Sequence, residues 1–339
     1  MIRFIVRRIL WMLLVLFVLS VVIFSLMHAV PGGPFAREKP LPEKTLEIMN
    51  KKYHLDDPIY VQYASYINDI IVPTVTTGTF RPNSAEDYLV NIPLPAFMGD
   101  QATVRWMNFG PTYKSRSRSV NDIFRENLPI SFQLGVVAMG IAMLIGIPLG
   151  IITALNTNSL YDYLGMGLAV LGVSVPVIIT APFLQYFLGV NLKILPVTGW
   201  GTLKHMVIPA FVLGFANSAL IARLTRASLL QVLNEDYIRT AQSKGLSWST
   251  VIVVHAMKNA MIPVVTILGP LFAALVTGTF VVETIFGIPG MGRFFVTSIA
   301  GRDYPVIMGT ILLYACFLTI ANLLVDIAYA WLDPRIRYN

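Results

Sequence analysis

The chain has 339 residues, 55% hydrophobic and only 13% charged, with a mean hydropathy of +0.68; a soluble domain carries roughly 25% charged residues, so an ordinary water-soluble fold is excluded. One cysteine, Cys316, excludes internal disulfides and every cysteine-based metal motif. The net charge of +7 does not indicate nucleic acid, because the basic residues flank apolar runs and form no patch on a soluble domain.

A membrane helix needs about 20 mostly apolar residues. Charge-free runs of that kind occupy residues 9–30, 128–155, 164–190, 206–222, 260–282 and 305–325. The first follows Arg3, Arg7 and Arg8. It is too long for the roughly 7–15-residue core of a signal peptide and has no small-x-small cleavage site before Pro31-Gly32-Gly33, so a retained helix is expected. The region 31–127 is the only sizeable polar part. Pro42 and Pro58 read as starts of helices over 42–53 and 58–72. The stretch 74–108, rich in Pro, Gly and Thr, shows no clear period and reads as an irregular insertion. The fourth run is short and is expected to continue past Arg223 and Arg226 by snorkelling. Pro148, Pro176, Pro182, Pro209 and Pro270 fall inside runs, where neighbours can satisfy the freed carbonyls. The expected fold is an all-α membrane protein of six transmembrane helices, with an extracytoplasmic domain between the first two.

Lys and Arg near the ends of the runs orient the chain. With the N-terminus inside, short inner segments hold Arg3, Arg7, Arg8, Arg223, Arg226, Arg239, Lys244, Lys258, Arg335 and Arg337. Short outer loops hold only Lys193, Lys204, Arg293 and Arg302. Both termini are therefore expected in the cytoplasm.

Between the fourth and fifth runs lies Glu235-Asp236-Tyr237-Ile238-Arg239-Thr240-Ala241-Gln242-Ser243-Lys244-Gly245-Leu246-Ser247-Trp248. Asn234 reads as an N-cap, with acids in the first turn. Tyr237, Ile238 and Ala241 make an apolar stripe, Gly245 suits the left-handed C′ position, and Ser247 can cap a second helix through Val251, Ile252 and His255. Pro263 reads as the start of the fifth membrane helix. Two short helices around a glycine elbow suit a partner's groove; an amphipathic connector lying at the interface has the same shape.

Ala241-x-x-x-Gly245, followed by His255-Ala256, Asn259-Ala260 and Pro263-Val264, resembles the EAA loop of binding-protein-dependent ABC permeases in their peptide-permease form. Arg239 stands where the general pattern has Glu. Further matches run in order along nearly the whole chain. They are Leu55-Asp56-Asp57-Pro58, the stretch 109–123, Arg223-x-Thr225-Arg226-x-Ser228, Glu283-Thr284-Ile285-Phe286-Gly287-x-Pro289-Gly290-Met291-Gly292, Arg302-Asp303-Tyr304 and Asp333-Pro334-Arg335-Ile336-Arg337-Tyr338. The stretch 109–123 and the tail resemble the oligopeptide-permease B subunit in particular.

The resemblance implies a type I ABC importer in the cell membrane, with its permease core over 128–331 and a coupling loop over 235–263. Ala241, Gly245, Leu246, His255, Asn259 and Pro263 would couple it to two cytoplasmic ATPases. A second homologous permease subunit and an extracytoplasmic peptide-binding protein would complete it. The chain lacks a G-x-x-x-x-G-K-[ST] phosphate loop, so ATP and Mg are expected on the partner ATPases and no cofactor on this chain. No His/Asp/Glu cluster has metal spacing, and no enzyme chemistry is assigned.

Three residues are candidates for a gate or path. Glu283 opens a turn-rich segment and can hydrogen-bond the 287–292 loop or face cargo. Arg223 and Arg226 anchor the inner end of the fourth helix or move with a gate. Asn322 and Asp326, four apart, can form a structural polar pair. The expected cargo is oligopeptide; dipeptide, nickel or glutathione carriage is the alternative within transport. A membrane-bound sensor or assembly factor is the alternative of another class. A secondary transporter would need charged or unwound mid-membrane sites in inverted halves, which six charge-free runs do not show.

Overall fold

The computed structural model describes residues 2–35, 42–77, 88–94, 102–115 and 118–332. The tail motif 333–338 with Arg335 and Arg337, and parts of the 74–108 stretch, lie outside the described residues. The described residues fall into two compact units, one drawn from 1–9, 130–292 and 316–339, the other from 10–129 and 293–315.

In chain order the elements are α1 (Ile2–Ala29), α2 (Glu43–Lys52), α3 (Ile59–Ile71), β1 (Thr74–Thr77), β2 (Val90–Pro93), β3 (Ala102–Trp106) and α4 (Val120–Leu155). There follow α5 (Leu160–Ser174), α6 (Val177–Leu184) running on as a π-helical turn (Gln185–Asn191), α7 (Leu203–Leu233), α8 (Asp236–Ser243) and α9 (Trp248–Thr250). A second π-helical segment (Val251–Ala256) leads into α10 (Met257–Val276), then α11 (Phe280–Ile285), α12 (Gly292–Ala300) and α13 (Tyr304–Leu332).

Among the described residues, five helices are long and apolar enough to cross a membrane: Phe4–Ala29, Val120–Leu155, Leu203–Leu233, Trp248–Ile285 and Tyr304–Tyr329. The expected third span is not one straight helix. Leu160–Ser174 and Val177–Asn191 meet at 99°, and the number of spans is six only if that bent pair counts as one. The cause is Pro176. It has no N–H and disfavours helical backbone in the residue before it, and Val175 is extended at φ −91, ψ 114. The fourth helix does continue past Arg223 and Arg226 to Leu233. Pro263 lies inside α10 and does not start it.

The second unit corrects the all-α expectation. Part of the 74–108 stretch forms a three-stranded antiparallel sheet ordered β1-β3-β2. Val75 and Ile92 both pair with Val104, so β-branched side chains meet across the strands. Trp106 Nε1 donates to the Ile71 carbonyl at 2.8 Å and ties the sheet to α3. The helices expected over 42–53 and 58–72 are α2 and α3. Ile23, Phe24 and Met27 of α1 form a core with Tyr304, Ile307 and Met308 of α13. Before α13, Asp303 accepts the Tyr113 N–H at 3.1 Å, and burial pushes its carboxyl above the ordinary carboxylate range against the pull of that bond.

In the first unit α4 and α7 meet along small residues spaced four apart: Ala138, Ala142, Gly146 and Gly150 on α4, and Gly214, Ser218 and Ala222 on α7. A Cβ on Gly146 would lie 2.6 Å from the Ser218 carbonyl oxygen, and one on Gly150 2.5 Å from Thr225 Cβ. Likewise a Cβ on Gly214 would lie 2.7 Å from the Ala138 carbonyl oxygen. Such small-xxx-small seams let helix backbones approach closely in lipid, where packing replaces the hydrophobic effect as the driving force.

That spacing predicts a graded response. Gly146→Ala and Gly150→Ala should each cost about 1–3 kcal/mol by overpacking and lower the melting temperature of the purified protein. Gly140→Ala, with nothing within 4 Å of its Cβ position, should leave melting unchanged. Equal melting of all three variants would reject the seam.

Candidate functional site

The elbow between α7 and α10 is built from local chemistry. Asn234 is the C-cap of α7, and Glu235, not Asn234, caps α8. At the end of α8 the Leu246 N–H donates to the Ala241 carbonyl at 3.4 Å and the Gly245 N–H to the Gln242 carbonyl at 2.9 Å. This paired pattern is the Schellman motif, which needs a left-handed residue at its centre; Gly245 supplies it at φ +77. Ser247 then caps α9, its Oγ accepting the Thr250 N–H at 3.3 Å.

Ile238 and Ala241 are buried in a cluster with Ala154 of α4, Leu229 and Val232 of α7, and Val251, Ala256 and Ala260 beyond the elbow. Full burial of an Ile side chain is worth about 1.5–3 kcal/mol, so these two residues hold α8 down. Asn259 Nδ2 donates to Tyr237 Oη at 2.7 Å and fastens α10 to α8. The outward side is mixed: the apolar side chains of Tyr237, Leu246, Trp248, Val253 and Val254 are exposed beside the charged Asp236, Arg239 and Lys244. The structure thus gathers Ala241, Gly245, Leu246 and Asn259 at one elbow. It sets His255 in the π-helical segment and Pro263 further along α10. In the sequence Tyr237 reads only as part of an apolar stripe; its hydroxyl gives no signal there.

The path candidates differ among themselves. Arg223 is exposed. Arg226 is committed to Asp162 in a fork, Nε to Oδ1 at 2.8 Å and Nη2 to Oδ2 at 2.7 Å. Asp162 also accepts the Asn158 N–H at 3.0 Å. Sequence reasoning missed Asp162, although Ser159 three residues before it is a helix-start pattern; Ser159 does cap α5. Asp326 forms an ion pair with Arg8 of α1, a partner that i,i+4 spacing toward Asn322 could not indicate.

Glu283 is 1% exposed. Its carboxylate accepts Ser131 Oγ at 2.7 Å, the Gly292 N–H at 2.7 Å and the Thr279 N–H at 3.2 Å. Ser131 Oγ in turn accepts the Met291 N–H at 2.8 Å. Gly290 and Gly292 of this loop leave room for the carboxylate. A Cβ on Gly290 would fall 2.3 Å from Glu283 Cδ, and one on Gly292 2.9 Å from Glu283 Oε2. The carboxylate thus accepts hydrogen bonds from Thr279 before it, from Gly292 after it and from Ser131 of α4.

Residues 146–338 match the family described as binding-protein-dependent transport system inner membrane component, and residues 1–84 match the corresponding N-terminal family. The chain is 43% identical over 339 residues to the dipeptide transport system permease protein DppB of Bacillus subtilis (strain 168), covering 100% of this chain and 99% of the relative. It is 37% identical over 340 residues, 100% of both chains, to the oligopeptide transport system permease protein OppB of Escherichia coli (strain K12). Among solved structures, an inward-facing form of the MetNI methionine ABC transporter matches with a TM-score of 0.52 at 15% identity, covering 62% of this chain and 96% of that one. That likeness concerns the fold alone.

Gly245 gives the elbow its sharpest test. A Cβ there meets nothing within 4 Å, so only backbone conformation is at stake. Gly245→Val should strain the turn by about 1–3 kcal/mol and weaken assembly with ATPase subunits in co-purification. Gly245→Asn, which tolerates left-handed geometry, should assemble nearly as well as the parent. Normal assembly of the valine variant would show that the elbow is not what a partner holds.

Proposed function

Since the chain belongs to the binding-protein-dependent transport system inner membrane component family and is a permease subunit of an ABC importer, we propose that its cargo is oligopeptide, moved inward by alternating access. The observation that carries the coupling half of this reading is the elbow. It is a glycine-turned knob that exposes both apolar and charged side chains and is anchored on α4, α7 and α10, and such a knob suits a partner's groove. We assign that partner as one of two ATPases holding ATP and Mg, with a second permease subunit and an extracytoplasmic peptide-binding protein completing the machine. Ala241 and Asn259 fix the knob, and Gly245 and Leu246 shape and present it. His255 and Pro263 lie on the element that carries its motion into the membrane.

Both termini and the elbow are assigned to the cytoplasm and α2, α3 and the sheet to the outside, on the excess of Lys and Arg in the inner segments. Cysteine placed at Lys44 in a Cys316→Ser background should react with an impermeant thiol reagent on intact cells, and cysteine at Ser243 should not. The opposite labelling would invert the topology. Arg223 and the Arg226–Asp162 fork then lie at the inner end of the path, where a contact that breaks and reforms would follow the gate.

Dipeptide carriage is the second reading, and a specific observation favours it: the relative at 43% identity carries the dipeptide name. The resemblance of the stretch 109–123 supports the oligopeptide reading, and the whole-chain identity supports the dipeptide one. The apolar spans offer few charges with which to recognise an ion, which supports selection by the external binding protein and tolerance of varied side chains in the path. The test is reconstitution of this subunit with its partner permease, ATPases and binding protein. ATP-dependent accumulation of four- to eight-residue peptides is expected, with no ATP hydrolysis by this chain alone. Uptake confined to dipeptides would replace the cargo while leaving the importer.

A further inference from the structure

The second unit contains a cavity of about 470 Å3, within the size range of small-molecule sites. Phe24, Tyr53, Tyr113 and Tyr304 give its wall a run of rings, and Tyr66 and Asp69 of α3 also line it. The rings are close enough to act together: Tyr53 and Tyr113 centroids are 4.7 Å apart, and Tyr113 and Tyr304 centroids 6.3 Å. The face of Tyr53 already receives a cation, because Lys52 Nζ lies 5.4 Å from its centroid.

Two carboxylates, Asp57 and Asp69, and one ammonium, Lys52, lie on the wall with His28 and His54 beside them, so its formal charge balance is negative when the histidines are neutral. Among the described residues no lysine or arginine is ion-paired with Asp69. Desolvation holds its carboxyl above the ordinary carboxylate range, with the Asn68 side chain opposing. A second carboxylate, Asp57, lies 3.5 Å from His54 Nδ1 and also lines the cavity. The Tyr66 hydroxyl is buried and has no hydrogen-bond partner among the described residues. Ring faces and a carboxylate together attract an ammonium group. An anion would meet two carboxylates against the one ammonium of Lys52.

We propose that this cavity binds an organic ammonium ligand with an apolar body, the ammonium placed against Asp69 and the body against the rings. Two sources supply that chemistry, a free amine and the α-ammonium of a short peptide. The assignment is independent of the cargo reading, since it concerns a site within the unit that carries α2 and α3.

The experiment uses the full-length chain in nanodiscs and ligand-observed NMR titrations. Tryptamine is the probe, tryptophol its neutral counterpart with hydroxyl for amine, and indole-3-acetate its anionic counterpart. Tryptamine should bind at least about tenfold more tightly than either, the scale of one charge-assisted hydrogen bond. Asp69→Asn should remove that advantage while leaving tryptophol binding as it was, a difference that misfolding cannot mimic. Tryptophanyl-glycine supplies the peptide arm. Tighter binding of the dipeptide than of tryptamine names a peptide as the source, the reverse order names a free amine, and either sustains the site. Equal binding of tryptamine and tryptophol, absence of tryptamine binding, or a preference for tryptamine that survives the Asp69→Asn substitution would overturn it.

Discussion

The close approach of α4 and α7 is the constraint on which the first unit depends. Lipid tails are as apolar as leucine, so helices in a bilayer gain little from simply hiding apolar side chains and must interlock instead. Small residues every fourth position let the two backbones come within contact distance of each other's carbonyls. The same two helices then provide the floor for the elbow: Ala154 follows Gly150 by one turn on α4, and Leu229 and Val232 follow Thr225 on α7. The docking position of α8 is inherited from the seam. A shift of one helix along the other would be felt at Ile238 and Ala241 before it reached any exposed residue.

Glu283 shows a second form of the same economy of space. A carboxylate among apolar helices needs donors on all sides, and here they are a hydroxyl and backbone amides. Amides can reach a carboxylate so closely only where no side chain intervenes. The glycines at 290 and 292 are therefore the steric complement of one acidic residue, and the 287–292 loop and Glu283 form a single unit of structure.

Much of this was legible in the sequence, for a definable reason. Apolar runs, caps and the Gly245 elbow are local: each is written within one or two turns, and α2, α3 and the Schellman turn follow directly from it. Pairings distant in the chain were not legible. Asp162 and Arg226 are 64 residues apart, Ser131 and Glu283 are 152 apart, and no pattern of spacing announces either. The sheet escaped for the same reason, since its strands are short and separated by turn-rich chain and only their pairing makes the Val75, Ile92 and Val104 side chains meaningful. The break at Val175 was a different matter. Pro176 was visible, but a proline in a membrane run is compatible with both a tolerated kink and a sharp bend, and the extended backbone of Val175 decides for the bend.

The length of α4 has a consequence for the surrounding bilayer. Its 36 residues make a rod of about 54 Å at about 1.5 Å per residue, whereas the hydrocarbon layer is about 30 Å thick. The surplus cannot be dissolved in acyl chains. In its first two turns Asn121, Asp122 and Asn127 are buried against the protein while Arg125 and Glu126 are exposed and suited to water and headgroups, and tilt is one way for a long helix to take up what remains. By that route a thicker or thinner membrane is met by a change in the inclination of this helix, not by unwinding it, and the helices that share its seam would be carried with it. Acyl-chain length thereby becomes a variable that acts on the same contacts that seat the elbow.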